Sequence, residues 1–187
     1  KNVAIYVDSS NDYSKGLAAA FKEQLEANGG TVVIEESYVT TDVDFKPTLT
    51  NIKSENPDFV FIPGYYEQVG LIVKQARELG IDVPLMGADG WDSPKLVELA
   101  GADALTNTYI TNHYSSGDPD PVIQDFVAAF EAEYSSQPNA FHALGYDTVY
   151  FLKDAIERAG DEVTGETIQK ALAETKDLSL ITGTFTV

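Results

Sequence analysis

Cysteine is absent from this 187-residue chain, which removes disulfides, thiolate nucleophiles and cysteine-held zinc or iron–sulfur sites together. Histidine is nearly as scarce: His113 and His142 stand on separate segments without the spacing of a metal site. Basic residues are few, 12 against 30 acidic ones, for a formal charge of -18. So acidic a surface repels phosphate backbones and anionic membranes, and no nucleic-acid partner is expected. No apolar run reaches the ~20 residues that cross a bilayer. No charged and apolar leader precedes the first strand-like run, Val3 to Val7, so any leader or anchor is expected outside these residues.

Several chemistries lack their motifs. The loop after the first strand has no G-x-G-x-x-G, and G-x-x-x-x-G-K-[ST] occurs nowhere. Ser9 and Ser10 lack a G-x-S-x-G elbow. A phosphorylated receiver would carry aspartate at the end of its third strand, where Ile62-Pro63-Gly64 stands. Asp118 and Asp120 alternate with prolines, which suits a solvated loop better than a calcium site. No enzyme activity, cofactor or metal is expected.

What remains is a chain that is 43% hydrophobic and 22% charged, enough to build a core. Short apolar runs alternate with amphipathic stretches. Strands are expected at residues 3–7, 31–35, 59–62, 83–86 and 105–111, and helices at 13–27, 68–79 and 94–99. A further helix is expected to run from an Asp44 N-cap, with Pro47 in its first turn, to about Lys53. Five strands separated by four helices predict an α/β fold with a doubly wound parallel sheet over residues 1–113. The rhythm changes over 114–187. A hinge-like Gly117-Asp118-Pro119-Asp120-Pro121 precedes additional C-terminal helices at 122–134, 140–159 and 165–175 and a last strand at 180–187.

Ligands of open α/β sheets bind beyond the carboxyl ends of the strands. The loops predicted there carry Asp8-Ser9-Ser10-Asn11-Asp12-Tyr13, Gly64-Tyr65-Tyr66-Glu67 and Gly87-Ala88-Asp89-Gly90-Trp91-Asp92. Aromatics, hydroxyls and a carboxylate between small residues suit a small cationic or zwitterionic ligand with an apolar part. Taken alone, Asp89 serves equally as a turn former, and Tyr13 as packing at a helix start. Of Tyr65 and Tyr66, one is expected to point inward. Trp91 either lines the cleft mouth or packs on the sheet, and Phe141 reads first as core.

Across its length the chain resembles the leucine/isoleucine/valine-binding family of type I periplasmic binding proteins. The resemblance lies in Asp12-Tyr13-Ser14-Lys15-Gly16, Asp44-Phe45, Asn56-Pro57-Asp58-Phe59-Val60-Phe61, Gly64-Tyr65-Tyr66 and Gln75-Ala76-Arg77-Glu78-Leu79-Gly80. Met86-Gly87-Ala88-Asp89-Gly90-Trp91-Asp92 is the most telling. It implies a two-lobed, extracytoplasmic receptor, periplasmic or a cell-surface lipoprotein, that hands a branched-chain or other hydrophobic amino acid to the membrane permease of an ABC transporter. It places Asp89 on the ligand ammonium, where many relatives carry glutamate. Tyr13 and Tyr65 would reach the ligand from the same lobe, and Phe141 would border its side chain.

The family's first lobe, which supplies donors for the ligand carboxylate, has no counterpart here, so the chain is expected to be a truncated piece. By the same resemblance, the helices after about residue 114 pack on that other lobe. Phe126, Phe130, Tyr146, Val149 and Phe151 would then need new cover, from the first sheet or by self-association. A micromolar ligand corresponds to about -8 kcal/mol, and half a site would retain only millimolar or weaker binding. Two alternatives stand beside transport: an amino-acid or amide sensor domain of the same fold, and a small α/β hydrolase using Asp89 or Glu67 as base.

Overall fold

The computed structural model describes residues 1–161 and 163–187. The chain divides into two compact units, Lys1–Thr111 and Asn112–Val187. The first contains β1 (Asn2–Asp8), α1 (Asp12–Ala27), β2 (Thr31–Tyr38), α2 (Lys46–Ser54), β3 (Phe59–Phe61), α3 (Tyr66–Glu78), β4 (Leu85–Gly87), α4 (Pro94–Ala100) and β5 (Thr108–Ile110). All five strands pair in parallel, in the order β2-β1-β3-β4-β5. This is the expected α/β sheet.

Alternation along β1 shows how the layers form. Ala4 and Tyr6 join one core with Phe45, Leu49 and Ile52 around α2, Val69, Ile72 and Val73 of α3, and Leu96 of α4. Val3, Ile5 and Val7 face the other way, against Ala18, Phe21 and Leu25 of α1. A strand covered on both faces is apolar throughout, which is why Val3 to Val7 reads as one unbroken run. Each such fully buried aliphatic side chain contributes roughly 1.5–3 kcal/mol.

Several boundaries differ from expectation, β2 running on to Tyr38 and β4 starting only at Leu85 among them; two of the differences have clear local reasons. The helix α2 begins after Phe45, whose N–H donates to Gln75 Oε1 at 2.7 Å, while Asp44, the expected cap, stands one residue earlier and accepts from the Lys46 N–H at 3.2 Å. The strand β5 starts at Thr108 rather than at 105, because the Arg77 guanidinium takes the carbonyls of Ala104 (3.2 Å) and Thr106 (2.9 Å). Asn107 turns the chain there with φ 60.

The second unit contains α5 (Pro121–Tyr134), α6 (Ala140–Ala159), α7 (Gly165–Ala173), β6 (Leu178–Leu180) and β7 (Gly183–Phe185). Its core gathers Tyr114, Ile123, Phe126, Val127, Ala140, Ala143 and Ile181. Phe126, expected to need outside cover, is therefore buried within the unit itself. Val122, Tyr134 and Val149 remain exposed, at 61%, 64% and 65%.

The single last strand expected at 180–187 is instead an antiparallel hairpin. Its turn residues donate to the buried Asp147 carboxylate of α6, Ile181 N–H at 3.0 Å and Thr182 N–H at 2.8 Å. Arg158 joins α6 to α7 through the Ala171 carbonyl (2.6 Å) and the Thr175 hydroxyl (2.7 Å).

Candidate functional site

The order 2-1-3-4-5 reverses direction between β1 and β3, so a crevice opens beyond the carboxyl ends of those two strands. Tyr13 lies in the loop and first turn after β1, Tyr65 in the loop after β3, and Asp89 directly after β4. Topology thus delivers three of the five expected site residues to one rim.

Each is held by local structure. Asn11 is the N-cap of α1, its side chain accepting from the Tyr13 N–H at 2.9 Å, so Tyr13 is fixed in the first helical turn. Asp89 opens a single 3₁₀ turn, Asp89–Trp91, in which the Trp91 N–H reaches the Ala88 carbonyl at 3.0 Å. Tyr65 precedes α3 in extended conformation, with φ -93 and ψ 155.

The three side chains meet. The Tyr13 hydroxyl donates to Asp89 Oδ1 at 2.8 Å and accepts from the Gly90 N–H at 3.0 Å. The Tyr13 and Tyr65 rings stack with centroids 4.9 Å apart and 22° between their planes. Burial first, and then the Asp89 carboxylate, push the Tyr13 phenol well above its ordinary range, which keeps it a proton donor to that carboxylate. The Tyr65 phenol is raised by burial and by the Asp89 and Glu67 charges. All three residues are half-buried, open enough to meet a solute.

Close backbone approach makes this possible. A Cβ on Gly90 would stand 2.6 Å from the Gly64 carbonyl oxygen, so only glycine lets the Asp89 turn lie against the loop bearing Tyr65. Trp91 takes the packing role. It is 1% exposed, its Nε1 donates to the Ile62 carbonyl at 3.0 Å, and its indole fills the space above Gly87. It supports the turn from within the core and presents no face to a solute.

Tyr66 packs against the main core, leaving Tyr65 on the rim. Phe141 stands in the second unit, on the first turn of α6 between the buried Ala140 and Ala143. Among the described residues, no group of His, Asp and Glu side chains is placed to hold a metal ion, and no helix is long and apolar enough to cross a membrane.

Sequence reasoning passed over Asp8, which is 2% exposed at the end of β1. It accepts from the Ser10 N–H (2.9 Å), the Ser10 hydroxyl (2.5 Å) and the Thr40 hydroxyl (2.9 Å). A polar residue directly after a buried strand was the available signal.

The whole chain, residues 1–187, matches the family described as periplasmic binding protein. A Leu/Ile/Val-binding protein, BraC3, of Rhizobium johnstonii is 34% identical over 186 residues, covering 100% of this chain and 50% of that protein. Among solved structures, a leucine binding protein, LivK, of Thermotoga maritima superposes with a TM-score of 0.87 at 35% identity, over 98% of this chain and 52% of that one. The LivJ substrate binding protein of Streptococcus pneumoniae, solved with isoleucine, gives a TM-score of 0.81 at 35% identity, over 98% and 51%. The chain spans about half the length of the relatives it matches. With a parallel sheet, an aromatic and acidic rim and a match along its full length, this chain belongs to the periplasmic binding protein family.

Proposed function

We propose that this chain forms part of the substrate-binding component of an ABC transporter and captures a free branched-chain or other hydrophobic amino acid for uptake. The observation that carries this is the Asp89 carboxylate held by Tyr13, with the Tyr13–Tyr65 ring pair beside it. An ionised carboxylate has acceptor capacity beyond the one bond Tyr13 makes, and an ammonium supplies three donors. Charge-assisted pairing there fixes the amino end of the ligand. The aromatic faces suit the adjoining apolar part, and an electron-rich ring also favours a nearby cation. A sugar would instead call for many more hydroxyl partners around the rim.

The relatives named for leucine, isoleucine and valine support the same ligand class. Capture makes and breaks no bond, so its mechanism is closure of two lobes around the ligand. By the resemblance, Phe141 borders the ligand side chain, while donors for the carboxylate come from the family's other lobe. The partner is the membrane permease, and the place of action is extracytoplasmic. Exposed Tyr134, Val149 and Leu152 of the second unit offer apolar cover for pairing of copies, which dilution-dependent light scattering tests.

The test is a calorimetric titration with leucine, isoleucine, valine and phenylalanine and their amides, on the protein and on Asp89→Ala. The expected result is weak, roughly millimolar binding that vanishes in Asp89→Ala. Undiminished binding in Asp89→Ala removes the carboxylate from ligand recognition.

A further inference from the structure

We propose that Asp8 is a positioning residue for this rim, setting through Ser10, Thr40 and Gln68 the distance between the loops that carry Tyr13 and Tyr65. The inference rests on the ligand reading for its functional meaning, and on geometry alone for its structural content.

Asp8 ends β1 at the switch point of the sheet, buried, and among the described ion pairs no lysine or arginine neutralises it. A buried carboxylate without a cation is tolerated only where donors surround it. Those donors come from two loops. Ser10, in the loop that leads to Tyr13, gives its N–H (2.9 Å) and hydroxyl (2.5 Å), and Thr40, in the loop after β2, gives its hydroxyl (2.9 Å). The backbone of Asp8 is held as well, its N–H donating to Ser14 Oγ at 2.9 Å in the turn that carries Tyr13.

The chain of contacts continues. The Thr40 N–H donates to Ser10 Oγ at 3.1 Å, and the Thr40 carbonyl accepts from Gln68 Nε2 at 2.9 Å. Gln68 lies in the first turn of α3, three residues after Tyr65. Asp8, Ser10, Thr40 and Gln68 therefore form a polar strut that spans the same two loops as the Tyr13–Tyr65 stack. Ser9 adds a stitch beside it, its N–H and hydroxyl both donating to the Tyr38 carbonyl at 2.9 and 3.0 Å.

A hydrogen-bonded strut of this kind is directional and fixed in length, whereas ring stacking slides at little penalty. With the strut intact, Tyr13 stays over Tyr65 with its hydroxyl on Asp89. With it cut, the rings can slip and the carboxylate loses its orienting donor, while the core below is unchanged.

The experiment compares Thr40→Val, which deletes the hydroxyl at nearly constant shape, with Thr40→Ser, which restores it, and adds Asp8→Ala. Tyrosine-labelled NMR spectra report the ring-current shifts of Tyr13 and Tyr65 without any ligand, and circular dichroism reports the fold. Expected are displaced Tyr13 and Tyr65 resonances in Thr40→Val and near-parental ones in Thr40→Ser. Leucine affinity in Thr40→Val is expected to drop about tenfold, the worth of one lost hydrogen bond. Should Asp8→Ala fail to fold, the threonine pair still decides. Unmoved tyrosine resonances in Thr40→Val overturn the inference. Displaced resonances in Thr40→Val, together with leucine binding that Asp89→Ala leaves undiminished, leave the strut standing and overturn the ligand reading instead.

Discussion

The phenol of Tyr13 donates to Asp89 across 76 positions of sequence, at 2.8 Å. One hydroxyl thereby locks the turn after β4 to the helix after β1, because it also accepts the Gly90 N–H. Tyr13→Phe deletes both bonds and keeps the ring. It is expected to lower stability by about 1–2 kcal/mol in urea unfolding. Leucine binding should weaken as well, since Asp89 loses the donor that aims it. An unchanged unfolding midpoint would show that the bond is absent in solution.

Tyr38 makes the opposite prediction. Its hydroxyl is buried with no hydrogen-bond partner among the described residues, so Tyr38→Phe should stabilise the protein by about 1 kcal/mol at neutral pH. Burial first, and then the Asp8 charge, raise the Tyr38 phenol above its ordinary range. Burial pushes Tyr6 up to about 12. Both groups hold their protons more tightly folded than unfolded. The stability they contribute is complete below the unfolded tyrosine value of about 10 and is lost as pH rises beyond it. Denaturation from pH 9 upward, roughly one unit below that value, should show this decline, and it should be shallower in Tyr38→Phe. Equal slopes in parent and variant would contradict the assignment.

Gly90 tests the close approach of two loops. In Gly90→Ala the new Cβ meets the Gly64 carbonyl oxygen at 2.6 Å and the Tyr13 hydroxyl at 3.0 Å. One of the loops must move, at about 1–3 kcal/mol. Trp91 is the only tryptophan and neighbours Gly90, so its emission maximum should shift in this variant. An unshifted spectrum with parental stability would show that the turn has room.

Arg77 makes a fourth prediction, away from the rim. Its guanidinium donates to five carbonyls, those of Ala104, Ile81, Val83, Thr106 and Asn107. Lysine keeps the charge but offers three donors from one atom and cannot span that fork. Arg77→Lys should therefore destabilise the first unit by about 2 kcal/mol, with faster amide exchange in the segment between α4 and β5. Exchange at the parental rate would show that the charge alone suffices.

Where the sequence was legible, periodicity was the reason. The unbroken run Val3 to Val7 and the helical patterns after it predicted the sheet and its order of elements; the rim loops were legible from that order, while Tyr13, Tyr65 and Asp89 were singled out within them only by the family resemblance. What could not be read depends on partners remote in sequence. The last hairpin bends at Ile181 and Thr182, which carry no turn signature, because Asp147 some 34 residues earlier accepts their N–H groups. The strand β5 is short because Arg77 competes for the Thr106 and Asn107 carbonyls, which the apolar pattern assigned to the ladder. Asp8 reads in sequence as one polar residue among several, and only the position of Thr40 shows which loop it holds.

The most direct test of the account is an amide NMR titration with leucine and, separately, with 4-methylpentanoate, which keeps the carboxylate and apolar chain and lacks the ammonium. Leucine should move the resonances of Tyr13, Tyr65, Asp89 and Gly90, while the ammonium-free acid leaves them in place. Equal shifts from both compounds, or leucine shifts that spare Asp89, would contradict the account.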